Sequence, residues 1–147
     1  GSARVAEALD NHPDASIATL CQTIMSPDEM NNSHIVKVIR DSSGYALYFS
    51  RSAIPWLAKE ATQHSATGSV IGYKHMGIYA YRADFLDIYI GLKVPEIVAR
   101  ESLEQLRALE AGMEIAVGRV DQAAGGVDTA ADLEAVRHRL DKAIVKD

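Results

Sequence analysis

The stretch His75-Met76-Gly77-Ile78-Tyr79-Ala80-Tyr81-Arg82 reads as a buried strand over Gly77 to Tyr81, and Phe85, Ile88, Tyr89 and Leu92 follow it at helical spacing until Gly91 and Pro95 interrupt. Within one short span the apolar period changes from alternating to three-to-four, which sets a strand beside a helix. Two further polar segments are set into such patterns, Glu101-Ser102-Leu103-Glu104-Gln105-Leu106-Arg107 and Gly126-Val127-Asp128-Thr129.

Working outward, Val5 to Leu9 reads as a helix closed by Asn11-His12-Pro13-Asp14, because proline disfavours helical geometry in the residue before it. Ser16 to Ile24 is apolar and β-branched on both alternating faces, the pattern of a strand covered from two sides. Ser26-Pro27-Asp28-Glu29 opens a short helix, with serine as N-cap and proline in the first turn. Ile35 to Arg40 and Tyr45 to Phe49 pair as a hairpin around Asp41-Ser42-Ser43-Gly44, where glycine accepts the positive φ of the turn. Ser52 to Gly68 has too little periodic apolar content to fix one structure, so a mobile loop over 52–70 is expected, with Trp56 either covering a ligand or anchoring the loop to the core. Val98, Leu103, Leu106 and Leu109 then place an apolar face on a second helix stopped by Gly112. Glu114 to Val120 is expected as the last strand, Gly125-Gly126 as a turn, and Leu133, Val136 and Leu140 as the core face of a closing helix. The resulting fold class is α/β, a mixed sheet with flanking helices.

The 147 residues fit one domain and suffice for a core without staples. Apolar and charged fractions of 48% and 24% match a globular chain rather than a disordered one. A charge of −5 argues against a nucleic-acid surface, which needs a basic stripe to displace counterions from phosphate. No apolar run approaches the roughly 18 residues of a membrane span, and no signal pattern opens the chain, so a cytoplasmic protein with no membrane partner is expected. The single cysteine, Cys21, lies in an apolar run and reads as a small buried hydrophobe. Gly1-Ser2 resembles the scar of tag removal. Neither a Walker-type loop nor a Gly-x-Gly-x-x-Gly turn occurs, so any nucleotide would be held largely by something else.

Each polar group has two open readings. Asp128, before Thr129-Ala130-Ala131-Asp132, is either part of a helix start or a hard carboxylate for magnesium. Glu101 and Gln105, four apart on the expected helix, form either a solvated stripe or a pair for sugar hydroxyls, and Glu104 with Arg107 suits a surface ion pair. His75 is either structural or a donor to a ligand carboxylate or ether oxygen, and Tyr79 and Tyr81 share one strand face that could line a pocket. Arg51 is a bidentate carboxylate binder by shape, or the partner of a core acid. Zinc and serine-nucleophile schemes fit poorly: His12, His34, His64, His75 and His138 are scattered, and there is no Gly-x-Ser-x-Gly elbow.

Taken in order, Ala15 to Leu20, Val36-Lys37-Val38, Gly44 to Arg51, Ile54-Pro55-Trp56, His75 to Arg82, Leu103 to Arg107 and Gly126 to Thr129 resemble the 3-deoxy-manno-octulosonate (Kdo) cytidylyltransferases, the CMP-Kdo synthetases. The resemblance implies part of a Rossmann-like nucleotidyltransferase fold and transfer of CMP from CTP to Kdo, releasing pyrophosphate, in lipopolysaccharide biosynthesis. It also implies magnesium held by Asp128, and Arg51, His75, Tyr79, Glu101 and Gln105 around the sugar. The family's charged cluster after Ile-Pro-Trp is replaced here by Leu57-Ala58-Lys59, and its nucleotide-binding half has no counterpart. The expectation is therefore the C-terminal part of one cytidylyltransferase domain, residues 1–147, inactive alone and prone to self-association, as a homodimer or larger, through an exposed sheet edge and apolar helix surface, with the 34–51 hairpin as a possible dimer contact. Two alternatives are a non-catalytic dimerisation or binding module and a sialic-acid-type cytidylyltransferase.

Overall fold

A computed structural model describes residues 2–57, 70–120 and 142–146. They form a mixed sheet flanked by helices. The elements are α1 (Ser2–Asp10), β1 (Ala15–Ile24), α2 (Pro27–Met30), β2 (Lys37–Arg40), β3 (Ala46–Ser50), β4 (Gly72–Arg82), α3 (Phe85–Ile90), α4 (Glu96–Glu101), α5 (Leu106–Glu110), β5 (Glu114–Val120) and β6 (Lys142–Lys146). The strand order is β3-β2-β4-β1-β5, with β6 also beside β4. β1 runs parallel to β5 and antiparallel to β4.

The two-sided apolar run of β1 is explained by what covers it. Ala18 and Leu20 face α1, where Val5 and Leu9 pack with Ala80 and Ala116. Ile17 and Cys21 face the opposite layer, with Val38, Phe49, Phe85, Val98 and Leu106. Burial alone pushes the Cys21 thiol up to about 11 against the small pull of Arg40 and Arg119, so it is an inert hydrophobe in this core.

Local chemistry sets the ends of the elements as expected at several points. The Ser26 hydroxyl accepts from Asp28 N–H and starts α2. The β2–β3 hairpin turns at Gly44 with φ of +91°. Its tip then folds back: Val117 N–H donates to Gly44 O at 2.8 Å, and Arg40 donates to Val117 O at 2.6 Å, so the hairpin turn covers part of β5.

Three expectations change. The helix expected through Val98 and Leu109 is two helices, α4 and α5, because Ser102 adopts a left-handed φ of 58° and ends the first. Glu101 and Gln105 therefore do not share one helical face. β5 is followed by another strand, β6, antiparallel to β4 at Ile78 to Arg82. Trp56 is 85% exposed and does not anchor its loop to the core. The expected Gly125-Gly126 turn, the 133–140 helix and most of the 52–70 loop lie outside the described residues.

Gly44 and Gly112 offer a paired test. Both have positive φ, yet a β-carbon at Gly112 meets nothing within 4 Å, whereas one at Gly44 would lie 2.9 Å from His12 Nε2. Gly112→Ala should cost about 1 kcal/mol of backbone strain, and Gly44→Ala at least about 1 kcal/mol more, since it also displaces the imidazole. Urea unfolding of both variants measures this, and equal losses would contradict the hairpin-to-α1 packing.

Candidate functional site

One face of β4 carries the site. His75, Gly77, Tyr79 and Tyr81 alternate onto the same side of the strand, and Gly77 contributes no side chain between the imidazole and the first phenol. A cavity of about 670 Å³ opens over this face, lined also by the 34–36 segment, by α3 and by the Ser102–Gln105 segment. That volume suits a small-molecule ligand.

One wall is a run of rings. Phe49 meets His75 edge-on at 5.1 Å, His75 lies 5.5 Å from Tyr79, and Tyr79 stacks near Tyr81 at 6.2 Å. Tyr81 stacks on Phe85 at 5.0 Å, and Phe85 adjoins Tyr89 at 5.3 Å. Alternation on β4 brings the first members together, and the helical period of α3 continues the series, so the period change seen in the sequence builds this wall.

The other wall is polar and tightly held. Arg51, at the end of β3, donates from Nε to Glu101 O at 3.0 Å, from Nη1 to Ser33 O at 3.1 Å and from Nη2 to Ser102 O at 3.4 Å. One guanidinium thus ties the 32–36 loop to the break between α4 and α5. The Glu101 carboxylate accepts from Ser50 Oγ at 2.5 Å, from Tyr48 OH at 3.1 Å and from Arg51 N–H at 3.1 Å. Burial pushes this carboxyl upward, but the Ser50, Arg51 and Tyr48 donors and the Arg51 charge outweigh it and hold it below its ordinary value. Lys37, fully buried, donates to Asn32 O and Ile35 O and fixes the same loop from beneath. Burial, then the Arg51 charge, lower the Lys37 pKa, partly offset by Glu101.

His75 is governed by Thr19. Its Nε2 lies 2.8 Å from Thr19 Oγ1, which also lies 3.0 Å from Met76 O and 2.8 Å from Ile78 O. Burial lowers the His75 pKa from 6.5 to about 4.

The structure thus brings Arg51, His75, Tyr79 and Gln105 to one cavity. Glu101 stands behind the lining, where its carboxylate braces β3 and Arg51 instead of facing a ligand. Arg51 is neither the expected carboxylate fork nor an ion pair with a core acid through its guanidinium, which grips three carbonyls. The expected Glu104–Arg107 pair is replaced: Arg107 lies 4.5 Å over the Tyr89 ring and donates to Leu92 O, while Glu104 accepts from Tyr89 OH at 3.3 Å. Asp128 lies outside the described residues. Thr19, Lys37, Tyr48 and Ser50 were missed as site-builders, since their partners are distant in sequence or, for Lys37, in an irregular loop. Lysine in the apolar run Val36-Lys37-Val38 was the one local sign.

A family model described as cytidylyltransferase matches residues 2–115. The chain is similar to the 3-deoxy-manno-octulosonate cytidylyltransferase of Halorhodospira halophila, 48% identical over 141 residues, covering 94% of this chain and 55% of that protein. The enzyme of the same name from Nitrosococcus oceani is 47% identical over 146 residues, covering 93% and 54%. A solved structure of CMP:2-keto-3-deoxy-manno-octonic acid synthetase complexed with CTP matches with TM-score 0.70 and 39% identity, covering 93% of this chain and 54% of that one. The chain spans about half the length of the curated relatives it matches.

Two acid-titration windows separate the two walls. Unfolded His75 protonates near its ordinary 6.5 while the folded ring stays neutral to about 4, so stability should fall as pH drops across that interval, by up to about 1.4 kcal/mol per unit, and His75→Gln should remove this slope. The Glu101 shift has the same direction but a different cause, hydrogen bonds to the charged carboxylate in place of burial. Its contribution is present above the ordinary carboxylate pKa and disappears as pH falls through the lower folded value, so Glu101→Gln should be less stable than wild type at neutral pH, with the gap closing in acid. Chemical denaturation at stepped pH measures both, and a Glu101→Gln deficit independent of pH would refute the carboxylate brace.

Proposed function

The chain belongs to the cytidylyltransferase family, and we propose that it supplies the sugar-acid site of an enzyme that transfers CMP from CTP to 3-deoxy-manno-octulosonate, releasing pyrophosphate. The observation that carries this reading is the cavity. Its ring wall of Tyr79, Tyr81, Phe85 and Tyr89 suits the C–H face of a sugar, and the polar part of its lining presents Gln105 beside a backbone held by Arg51. The names of the relatives favour the octulosonate over a sialic acid. The CTP in the solved neighbour favours CTP as the second substrate.

In this reading the chain's residues orient the sugar acid so that one of its hydroxyls meets the α-phosphorus of CTP, and rate comes from positioning. Tyr79 and Gln105 hold the ring, while Glu101 and Lys37 act by holding the wall. Magnesium would neutralise phosphate charge when bound. Among the described residues no group of three or more His, Cys, Asp or Glu could hold a metal. The metal therefore enters the proposal only through Asp128, and no step is routed through it. Lipopolysaccharide assembly as the destination of the product belongs to the same proposal, as does a cytoplasmic setting. No helix among the described residues is long and apolar enough to cross a membrane.

A second reading, the assembly module, has one supporting observation: β3 is an edge strand of the described sheet and Leu47 on it is 59% exposed, a surface on which a second copy could pair. Calorimetric titration with 3-deoxy-manno-octulosonate, with and without magnesium and CTP, separates the two. Binding heat that Gln105→Ala weakens about 2- to 12-fold, the range for one lost hydrogen bond, supports the sugar-acid site. Silence under all conditions, with a mass that rises with concentration, supports assembly instead.

A further inference from the structure

We infer that Thr19 is a positioning residue that fixes the proton of His75 on Nε2 and so presents bare Nδ1 to the cavity as an acceptor, making this point of the site selective for a hydroxyl. The inference rests on the cavity proposed above as the sugar-acid site and specifies what one part of it reads. It reverses the expectation that the imidazole donates to a ligand carboxylate.

The argument is a proton count. Thr19 is fully buried, and its oxygen has three neighbours within hydrogen-bond distance: Met76 O, Ile78 O and His75 Nε2. A hydroxyl has one proton and two lone pairs, while a carbonyl only accepts. Were the hydroxyl to donate to Nε2, both carbonyl oxygens would face its lone pairs at 2.8 and 3.0 Å with no proton between them. The hydroxyl proton therefore goes to the carbonyls, and Nε2–H donates to Thr19. A neutral imidazole protonated on Nε2 is bare on Nδ1. The low pKa caused by burial keeps the ring neutral through the physiological range.

Nδ1 has no hydrogen-bond partner among the described residues, and it is not sealed off as the partnerless Arg107 Nε is. His75 lines the cavity, and Nδ1 is its ring nitrogen not engaged by the described residues, so in this inference its lone pair is the one that meets a ligand. A sugar hydroxyl can donate to it, whereas a carboxylate would be repelled. The acid group of a sugar acid thus lies away from His75, which orients the ligand along the ring wall.

Nitrogen NMR of the ¹⁵N-histidine-labelled chain without ligand tests this directly, with His75→Gln used to assign the resonance. The expected result at neutral pH is a protonated Nε2, a bare Nδ1, and an Nε2 proton protected from solvent exchange. Thr19→Val should reduce that protection about tenfold, the equivalent of one hydrogen bond, and Thr19→Ser should restore it. A proton on Nδ1 in the wild type, or an unchanged Nε2 proton in Thr19→Val, overturns the inference. If Thr19→Val fails to fold, the wild-type and Thr19→Ser spectra still decide it. Because the measurement needs no sugar, its failure is distinct from a silent titration with the sugar acid.

Discussion

Everything around the cavity depends on a slip of register between β1 and β4. Ala18 pairs with Ala80 and Leu20 pairs with Met76, so one residue of β1 between these pairs stands against three of β4. A bulge of this kind leaves carbonyls without ladder partners, and a buried unpaired carbonyl costs about 1–3 kcal/mol. The Thr19 hydroxyl lies within reach of both Met76 O and Ile78 O and satisfies the backbone on either side of Gly77. Because the slip is two residues, the alternation of faces survives it, so His75, Tyr79 and Tyr81 remain on one side. An odd slip would have turned His75 toward the opposite face. One buried hydroxyl thus supports both the sheet distortion and the imidazole that the distortion places.

The polar wall rests on a different balance. Lys37 is removed from water, and its charge is tolerable only because it meets carbonyls from the 32–35 segment and senses Glu101. Arg51 and Glu101 do the same for the junction of β3 with α4. Their charges meet hydrogen-bond partners with little direct ion pairing, an arrangement that holds geometry more than it adds stability. Such groups fix loops that have no regular structure of their own, which is what the 32–36 segment and the Ser102 break require.

Legibility in the sequence followed the range of the interaction. The hairpin was readable because Gly44 and its apolar flanks are a local signal, and β1 because its two apolar faces reflect layers on both sides. The helix break was hidden: Val98, Leu103, Leu106 and Leu109 keep a helical spacing across it, and serine at φ 58° lacks the glycine that usually marks such a turn. β6 escaped because Lys142-Ala143-Ile144-Val145-Lys146 is too short to show a period, and its strand identity depends on β4. Of the candidate site, His75, Tyr79, Gln105 and Arg51 were visible as polar residues in apolar settings. The roles of Arg51 and Glu101 were not, since their partners lie up to 53 residues away.

The charge pattern of the cavity follows from the same contacts. Arg51 and Lys74, cations on its lining, are already engaged, the first with three carbonyls and the second with Glu29 in a salt bridge. His75 is neutral and aromatic rings supply much of one wall. A site without a free strong cation among the described lining side chains reads an anion poorly by charge, but reads shape and hydroxyl pattern well. Under the function proposed above, discrimination of a polyhydroxylated acid would lie in its hydroxyls, through groups such as Gln105 and His75 that a wrong isomer would leave unpaired. Leaving one such group unpaired once a ligand has displaced its water costs about 1–3 kcal/mol, or roughly 5- to 150-fold in affinity.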